Sequence, residues 1–108
     1  MSNVGGAPDE LPGGWSAPRT PTAEDQKIAD KVKPQFFKWS GVSDLMFMID
    51  ITKDQKIVDG TNFLFKVDYG DDKYAHIMVF EDMPHTKKEP TIKKIVLDKK
   101  KEDELEPF

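Results

Sequence analysis

The feature that most constrains the fold of this chain is a hairpin signal at residues 56–62, Lys-Ile-Val-Asp-Gly-Thr-Asn, between two strand-like runs. Aspartate tolerates a positive φ and glycine adopts it readily, so Asp59 and Gly60 predict a tight turn between antiparallel strands. Apolar residues alternate with other residues in the run that follows, residues 61–69, as in a strand with one buried face. The chain is therefore expected to contain an antiparallel sheet built around this turn.

One amphipathic helix is predicted ahead of the hairpin, over about residues 23–38. Thr22 precedes it, and Asp25 stands at the position of a capping-box acid. Apolar side chains recur at i, i+4 and i+8, which gives a single stripe made of Ile28, Val32 and Phe36. Pro34 removes one backbone donor and is expected to kink or loosen the last turn, and Ser40-Gly41 is expected to end the helix.

Four strand-like runs follow the helix, at Met46–Thr52, Thr61–Tyr69, Tyr74–Glu81 and Thr91–Leu97. Alternation predicts which side chains share a face. The predicted groups are Phe47, Ile49 and Ile51 in the first run, Phe63, Phe65, Val67 and Tyr69 in the second, and Ile95 and Leu97 opposite Ile92 and Val96 in the fourth. One helix followed by consecutive hairpins predicts an α+β domain with an antiparallel sheet packed on the helix.

Three separate segments carry apolar groups that a compact domain cannot all bury. Ile57 and Val58 stand at the hairpin tip, where they either shield the end of the sheet or meet a partner. Residues 83–85, Met-Pro-His, form a second tip, and residues 11–15, Leu-Pro-Gly-Gly-Trp, form a third such segment near the N-terminus. Together these segments suggest one composite binding edge.

The order and spacing of several short motifs resemble those of the stefins, the type 1 cystatins. The motifs are Pro12-Gly13-Gly14, the helix segment 28–35, Val58-Asp59-Gly60-Thr61-Asn62-Phe63, Lys66-Val67, Tyr69-Gly70-Asp71, Val79-Phe80, Met83-Pro84-His85 and Asp103-Glu104-Leu105. The resemblance implies one cystatin-like domain over residues 12–108, with residues 1–11 as a flexible N-terminal extension. It also implies a five-stranded antiparallel sheet wrapped around one long helix, with a short first strand just after Trp15.

Stefins inhibit papain-like cysteine peptidases inside cells, so the resemblance implies reversible, tight binding to papain or to cathepsins of the L, B or H type. The implied wedge has three parts that enter the active-site cleft. Its residues are Leu11, Pro12, Gly13 and Gly14, then Gln55, Lys56, Ile57, Val58, Asp59 and Gly60, and finally Met83, Pro84 and His85. Such a hairpin would cover the catalytic pair without presenting a peptide bond in a near-attack geometry, so it would not be cleaved.

Composition argues against catalysis. The chain has no cysteine, which excludes a thiol nucleophile, a disulfide framework and a cysteine-rich metal site. Neither of the two histidines has a partner at a recognisable catalytic or metal-binding spacing, and His76 is expected to lie on the sheet surface. We therefore expect no enzymatic activity, no catalytic residue, no metal and no cofactor.

Charge and hydropathy narrow the partners further. The 108-residue chain has a net charge of −4, which argues against nonspecific nucleic-acid binding. No apolar run approaches the roughly 20 residues of a membrane helix, and no signal peptide is evident, so a cytoplasmic protein without membrane contact is expected. A monomer is expected, and a dimer formed by exchange of strands is the alternative.

The hairpin departs from the stefin pattern, which usually reads Gln-Val-Val-Ala-Gly. Aligned on Gly60, Lys56 replaces the glutamine and Asp59 replaces the small residue. Alternatively, Gln55 is the family glutamine and the loop carries one extra residue, which would swap strand faces or require a bulge. Either alignment places a charge near the peptidase centre. The alternative function is therefore weakened inhibition, with the same edge binding another protein.

Overall fold

A computed structural model of the protein describes residues 14–41 and 46–108. One helix, α1 (Ala23–Ser40), precedes a sheet of four antiparallel strands that pair in chain order. The strands are β1 (Met48–Ile57), β2 (Gly60–Asp68), β3 (Tyr74–Asp82) and β4 (Thr91–Lys99). The predicted α+β architecture, with one helix and consecutive hairpins, is confirmed.

Helix α1 begins with the predicted capping box. The Thr22 hydroxyl accepts a hydrogen bond from the Asp25 amide (3.3 Å), and the Asp25 carboxylate accepts one from the Thr22 amide (2.8 Å). The helix continues past Pro34 to Ser40, two residues beyond the predicted end, and closes at Gly41 with φ 72°. Gln35 holds this last part in place, because its side chain donates to the carbonyl of residue 90 (3.1 Å) and accepts from the amide of residue 92 (2.9 Å).

The helix stripe and one face of the sheet form the hydrophobic core. Ile28, Val32 and Phe36 lie on the buried side of α1, as their spacing predicts. The core residues contributed by the two central strands are Phe63, Phe65, Val67, Ala75, Ile77 and Val79, and Tyr69 packs with them just after β2. Burial of this continuous apolar surface is the main stabilising term for a domain of this size.

A β-bulge at Asp50 changes the predicted pattern of β1. Ile49 pairs with Val67, but the next paired residue, Ile51, stands opposite Lys66, so Asp50 is the extra residue. The bulge turns Ile51 out of the core and brings Thr52 in, fully buried. The prediction that Ile51 shares a face with Phe47 and Ile49 is therefore wrong, since one inserted residue reverses the two-residue period.

A second bulge lies in β4. Met78 pairs with Lys94 and Val79 with Ile92, which leaves Lys93 as the extra residue. Ile92 therefore joins the core on the same side as Ile95 and Leu97, and its predicted place on the opposite face is wrong.

The face of the sheet that points away from α1 is covered by the C-terminal segment, residues 100–108. Leu105 is buried there, and the ammonium group of Lys66 donates to the carbonyl of Lys101 (2.7 Å). His76 lies in β3 directly opposite Lys66 and is only 2% exposed, so its predicted place on the surface is wrong. Its Nε2 atom is buried without a hydrogen-bond partner among the described residues.

This buried histidine makes stability depend on pH. Burial lowers the pKa of His76 from 6.5 to about 4, the charges of Lys99 and Lys66 act in the same direction, and Asp103 opposes them. Below pH 6.5 the unfolded chain binds a proton that the folded chain does not bind until about pH 4. We expect the free energy of unfolding, measured with urea, to fall by roughly 2–3 kcal/mol between these pH values.

Two substitutions test this prediction. His76→Gln removes the titrating ring and is expected to flatten the profile of unfolding free energy between pH 6.5 and 4. His85→Gln removes the other histidine, which is exposed, and should leave the profile as it is. Equal pH dependence in wild type and His76→Gln would contradict the assignment.

Residues 15–19 add a fifth, short edge to the sheet. Trp15 pairs with Gln55 and Arg19 with Thr52, both antiparallel to β1. This segment occupies the position predicted for the first strand, although it is held by two isolated bridges and not by a continuous ladder. The predicted domain boundary at residue 12 lies outside the described residues.

Candidate functional site

The β1–β2 hairpin ends in a two-residue turn made of Val58 and Asp59, with Ile57 paired to Gly60. The turn lies one residue earlier than predicted, because Gly60 is already the first residue of β2. Val58 is 93% exposed and Ile57 is 37% exposed. The tip does not bury its apolar pair, so these side chains are available to a partner.

Position 60 requires glycine because there is no space for a side chain. Its φ is 157°, and a Cβ atom added there would lie 2.2 Å from the carbonyl oxygen of Glu81 and 2.9 Å from the Phe80 ring. Contacts under 3.0 Å require atoms to shift, and here the nearest atom belongs to the backbone. The glycine thus allows β3 to approach the hairpin closely. The sequence predicts a glycine here for its positive φ, and it gives no sign of this close contact.

The second tip follows β3 as a short loop with a single 3₁₀ turn at Pro84–Thr86. Hydrogen bonds within the loop fix its shape: the Met83 carbonyl accepts from both the amide (3.0 Å) and the hydroxyl (2.8 Å) of Thr86. The side chain of Met83 is 38% exposed, and His85 is also exposed. These hydrogen bonds shape the loop before a partner binds, which reduces the conformational entropy lost on binding.

The two tips lie side by side, because Gly60 pairs with Asp82 across β2 and β3. Between them is an open depression of about 460 Å³. It is lined by Val58, Asp59, Phe80, Asp82, Met83, His85 and Thr86. The structure therefore brings together two of the three segments that the sequence suggested would form one edge.

The third segment is described only in part. Leu11, Pro12 and Gly13 lie outside the described residues, whereas Gly14 and Trp15 are described and half-buried. The pairings of Arg19 with Thr52 and of Trp15 with Gln55 show that the chain, followed backwards, runs along β1 toward the hairpin tip.

Of the two aspartates at this edge, one has an ion-pair partner among the described residues and the other does not. Asp82 lies 3.9 Å from the ammonium group of Lys88, an exposed contact that contributes little to stability. Asp59 has no hydrogen-bond or ion-pair partner within the part of the chain that the structure describes. A partner that covers the tip would therefore have to desolvate this carboxylate or pair with it.

Residues 14–41 and 46–108 contain no group of three or more His, Cys, Asp or Glu side chains arranged to hold a metal ion. Over the same ranges, no helix combines the length and the apolar character needed to cross a bilayer.

Comparison with known proteins identifies the family. Residues 13–102 match the family model described as the cystatin domain. This chain is a cystatin. Leukocyte cysteine proteinase inhibitor 1 of Sus scrofa is 40% identical over 98 residues, which cover 91% of this cystatin and 94% of that protein. Cystatin-A of Homo sapiens is 38% identical over 91% of this chain and 99% of its own length, and Cystatin-B of Mus musculus is 38% identical over 89% and 97%.

These matches confirm the resemblance to stefins, and the strand pairing shows how the hairpin of this chain is built. The turn of this cystatin has two residues, and the residue of β1 that is extra relative to β2 is Asp50, at the bulge. The side chain of Gln55 accepts a hydrogen bond from Asn62 (2.9 Å) beside the tip.

Sequence reasoning missed two features of this cystatin near the site. Phe80 lines the depression between the two tips, whereas the sequence predicts only that it lies in a strand. Arg19 forms ion pairs with Asp25 and Asp54 that no local pattern indicates, since Asp54 lies 35 residues away.

Proposed function

We propose that this cystatin is a reversible, tight-binding inhibitor of papain-like cysteine peptidases. The observation that carries the proposal is the pair of adjacent, exposed tips at one end of the sheet. Each tip presents an apolar group, Val58 in one and Met83 in the other. The identity of 40% to a protein named as a cysteine proteinase inhibitor supports the same partner class.

The proposed inhibition is physical occlusion of the cleft. Ile57 and Val58 enter the cleft over the catalytic thiolate and imidazolium, while Met83, Pro84 and His85 add contact on the primed side. Gln55, Lys56, Asp59 and Gly60 complete the hairpin that carries this contact. A two-residue turn held by strand pairing resists the distortion that hydrolysis requires, which keeps the inhibitor intact.

The N-terminal limb of the wedge is proposed to consist of Leu11, Pro12, Gly13 and Gly14. Leu11 and Pro12 fill non-primed subsites, and Gly13 lets the extended chain turn away from the nucleophile without a side-chain clash. Support comes from residues 15–19, which run beside β1 toward the hairpin tip.

The proposed partners are papain itself and cathepsins of the L, B or H type, bound by a cytoplasmic monomer. Interfaces of inhibitors with peptidases typically bury roughly 1,600 Å² and include some of the tightest complexes known. Titration of an active peptidase with the folded protein tests the proposal. Reversible occlusion gives a sharp end point and a return of activity on dilution.

Asp59 supports a second hypothesis, in which this edge inhibits peptidases only weakly and binds another protein. We expect Asp59→Ala to tighten inhibition by about tenfold, because the variant no longer has to desolvate an unpaired carboxylate on docking. Glu104→Ala, which removes an exposed acid on the C-terminal segment, is the matched control and should leave the inhibition constant unchanged. If Asp59→Ala also has no effect, the carboxylate stays hydrated in the complex and does not limit affinity.

A further inference from the structure

The segment that leads into the N-terminal limb is attached to β1 by hydrogen bonds of the main chain and of one side chain. The Ser16 amide donates to the Asp54 carbonyl (2.8 Å), and the Asp54 amide donates to the Ser16 hydroxyl (3.0 Å). Farther from the tip, Arg19 and Thr52 exchange two backbone hydrogen bonds of 2.9 and 3.1 Å. Two short contacts separated by residues 17 and 18 hold such a segment weakly on their own, because its backbone entropy opposes the attachment.

The side chain of Arg19 reinforces this attachment by joining three elements. Its guanidinium binds the Asp25 carboxylate in a bidentate manner, with Nη1 2.6 Å from Oδ2 and Nη2 3.1 Å from Oδ1. Its Nε lies 3.2 Å from Oδ1 of Asp54 on β1. The planar guanidinium fixes direction as well as distance, which the ammonium group of a lysine does not do.

Asp25 is a suitable anchor for this contact. Its side chain is 5% exposed and also caps α1 by accepting from the Thr22 amide and hydroxyl. Burial acts to raise the pKa of Asp25, but the hydrogen bonds from Arg19 and Thr22 outweigh it and lower the pKa below its usual value. The carboxylate therefore remains charged at neutral pH and remains a partner for Arg19.

We propose that Arg19 is a positioning residue for inhibition: it locks residues 15–19 between α1 and β1, so that the preceding limb starts beside the hairpin tip. This inference rests on the proposed function. Arg19 pairs with Thr52, five residues before the end of β1 at Ile57, so it acts through the limb and not by touching the peptidase. Without it, residues 15–19 have to be ordered on binding, which lowers affinity.

A double-mutant cycle in the full-length chain tests the role. Arg19→Met is expected to raise the inhibition constant for papain about tenfold, mainly through faster dissociation, since reordering even one residue costs about one order of magnitude in affinity. Arg19→Lys keeps the charge without the bidentate geometry, so its inhibition constant should lie between those of wild type and Arg19→Met. On a Leu11→Ala background, Arg19→Met is expected to change the constant by less than about twofold, because the limb no longer contributes its main contact.

Two controls separate positioning from general destabilisation. On a Met83→Ala background, which damages the other side of the wedge, Arg19→Met should again cost about tenfold. Leu97→Ala, in β4 at the far edge of the sheet, should lower the thermal midpoint without changing the inhibition constant.

A tenfold loss of affinity that is the same on the Leu11→Ala background, or no loss of affinity in the wild-type background, would overturn the inference. If the wild-type protein inhibits no peptidase, the proposed function fails, and this inference fails with it.

Discussion

Val58→Asp is expected to weaken inhibition of papain by about a hundredfold or more while the thermal midpoint stays within about 2 °C of wild type. Val58 is 93% exposed in the free protein, so the folded state loses almost no contact when the side chain changes. In the complex, the new carboxylate would be buried in the cleft without a partner, at the centre of the interface. Steady-state inhibition and a thermal melt of the same sample provide the two readouts.

Val96→Asp is the matched control for this prediction. It introduces the same charge at another valine on the surface, 36% exposed, in β4 at the edge opposite β1. Its inhibition constant should equal that of wild type when the concentration of folded protein is used. A Val58→Asp variant that inhibits as tightly as Val96→Asp would show that the hairpin tip does not enter the cleft.

Gly60→Ala is expected to destabilise the protein by about 2–4 kcal/mol and to weaken inhibition as well. The added Cβ would lie 2.2 Å from the Glu81 carbonyl oxygen and 2.9 Å from the Phe80 ring, so β2 and β3 would have to separate at the tip. The φ of 157° adds strain for any residue with a side chain. Urea denaturation gives the loss in free energy of unfolding, and peptidase titration gives the loss in affinity.

Gly41→Ala separates the effect of crowding from that of backbone conformation. Gly41 ends α1 with φ 72°, but a Cβ atom added there meets no atom within 4 Å. Its substitution should therefore cost only about 1 kcal/mol, from conformation alone, and should leave inhibition unchanged. Equal costs for the two alanine variants would contradict the role assigned to the close contact at Gly60.

Most of the fold could be predicted from short sequence patterns, because each pattern acts through interactions between residues that are close in sequence. The capping box at Thr22 and Asp25, the apolar stripe of α1 and the alternation in β2 all appear where the sequence places them. The bulges at Asp50 and Lys93 could not be predicted, since an inserted residue leaves composition and turn signals unchanged while it reverses the side-chain faces. Ile51 and Ile92 were misplaced for this one reason.

The site was predictable to the extent that it follows from strand order. Consecutive antiparallel hairpins put alternate turns at the same end of a sheet, which brings the loops after β1 and β3 together. Contacts between residues that are distant in sequence could not be predicted, because no short sequence pattern indicates them. The burial of His76 depends on the C-terminal segment that covers it, and the Arg19–Asp54 ion pair depends on how residues 15–19 meet β1.

Titration of active papain and of a cathepsin L-type peptidase with the folded, monomeric protein shows directly whether the two tips block a cleft. Residual hydrolysis of a small substrate is followed as the protein is added. We expect inhibition at a stoichiometric ratio or with a nanomolar constant, recovery of activity on dilution, and an uncleaved inhibitor. No inhibition at micromolar concentration would contradict this expectation, and would mean that Lys56 and Asp59 have turned this edge toward another partner.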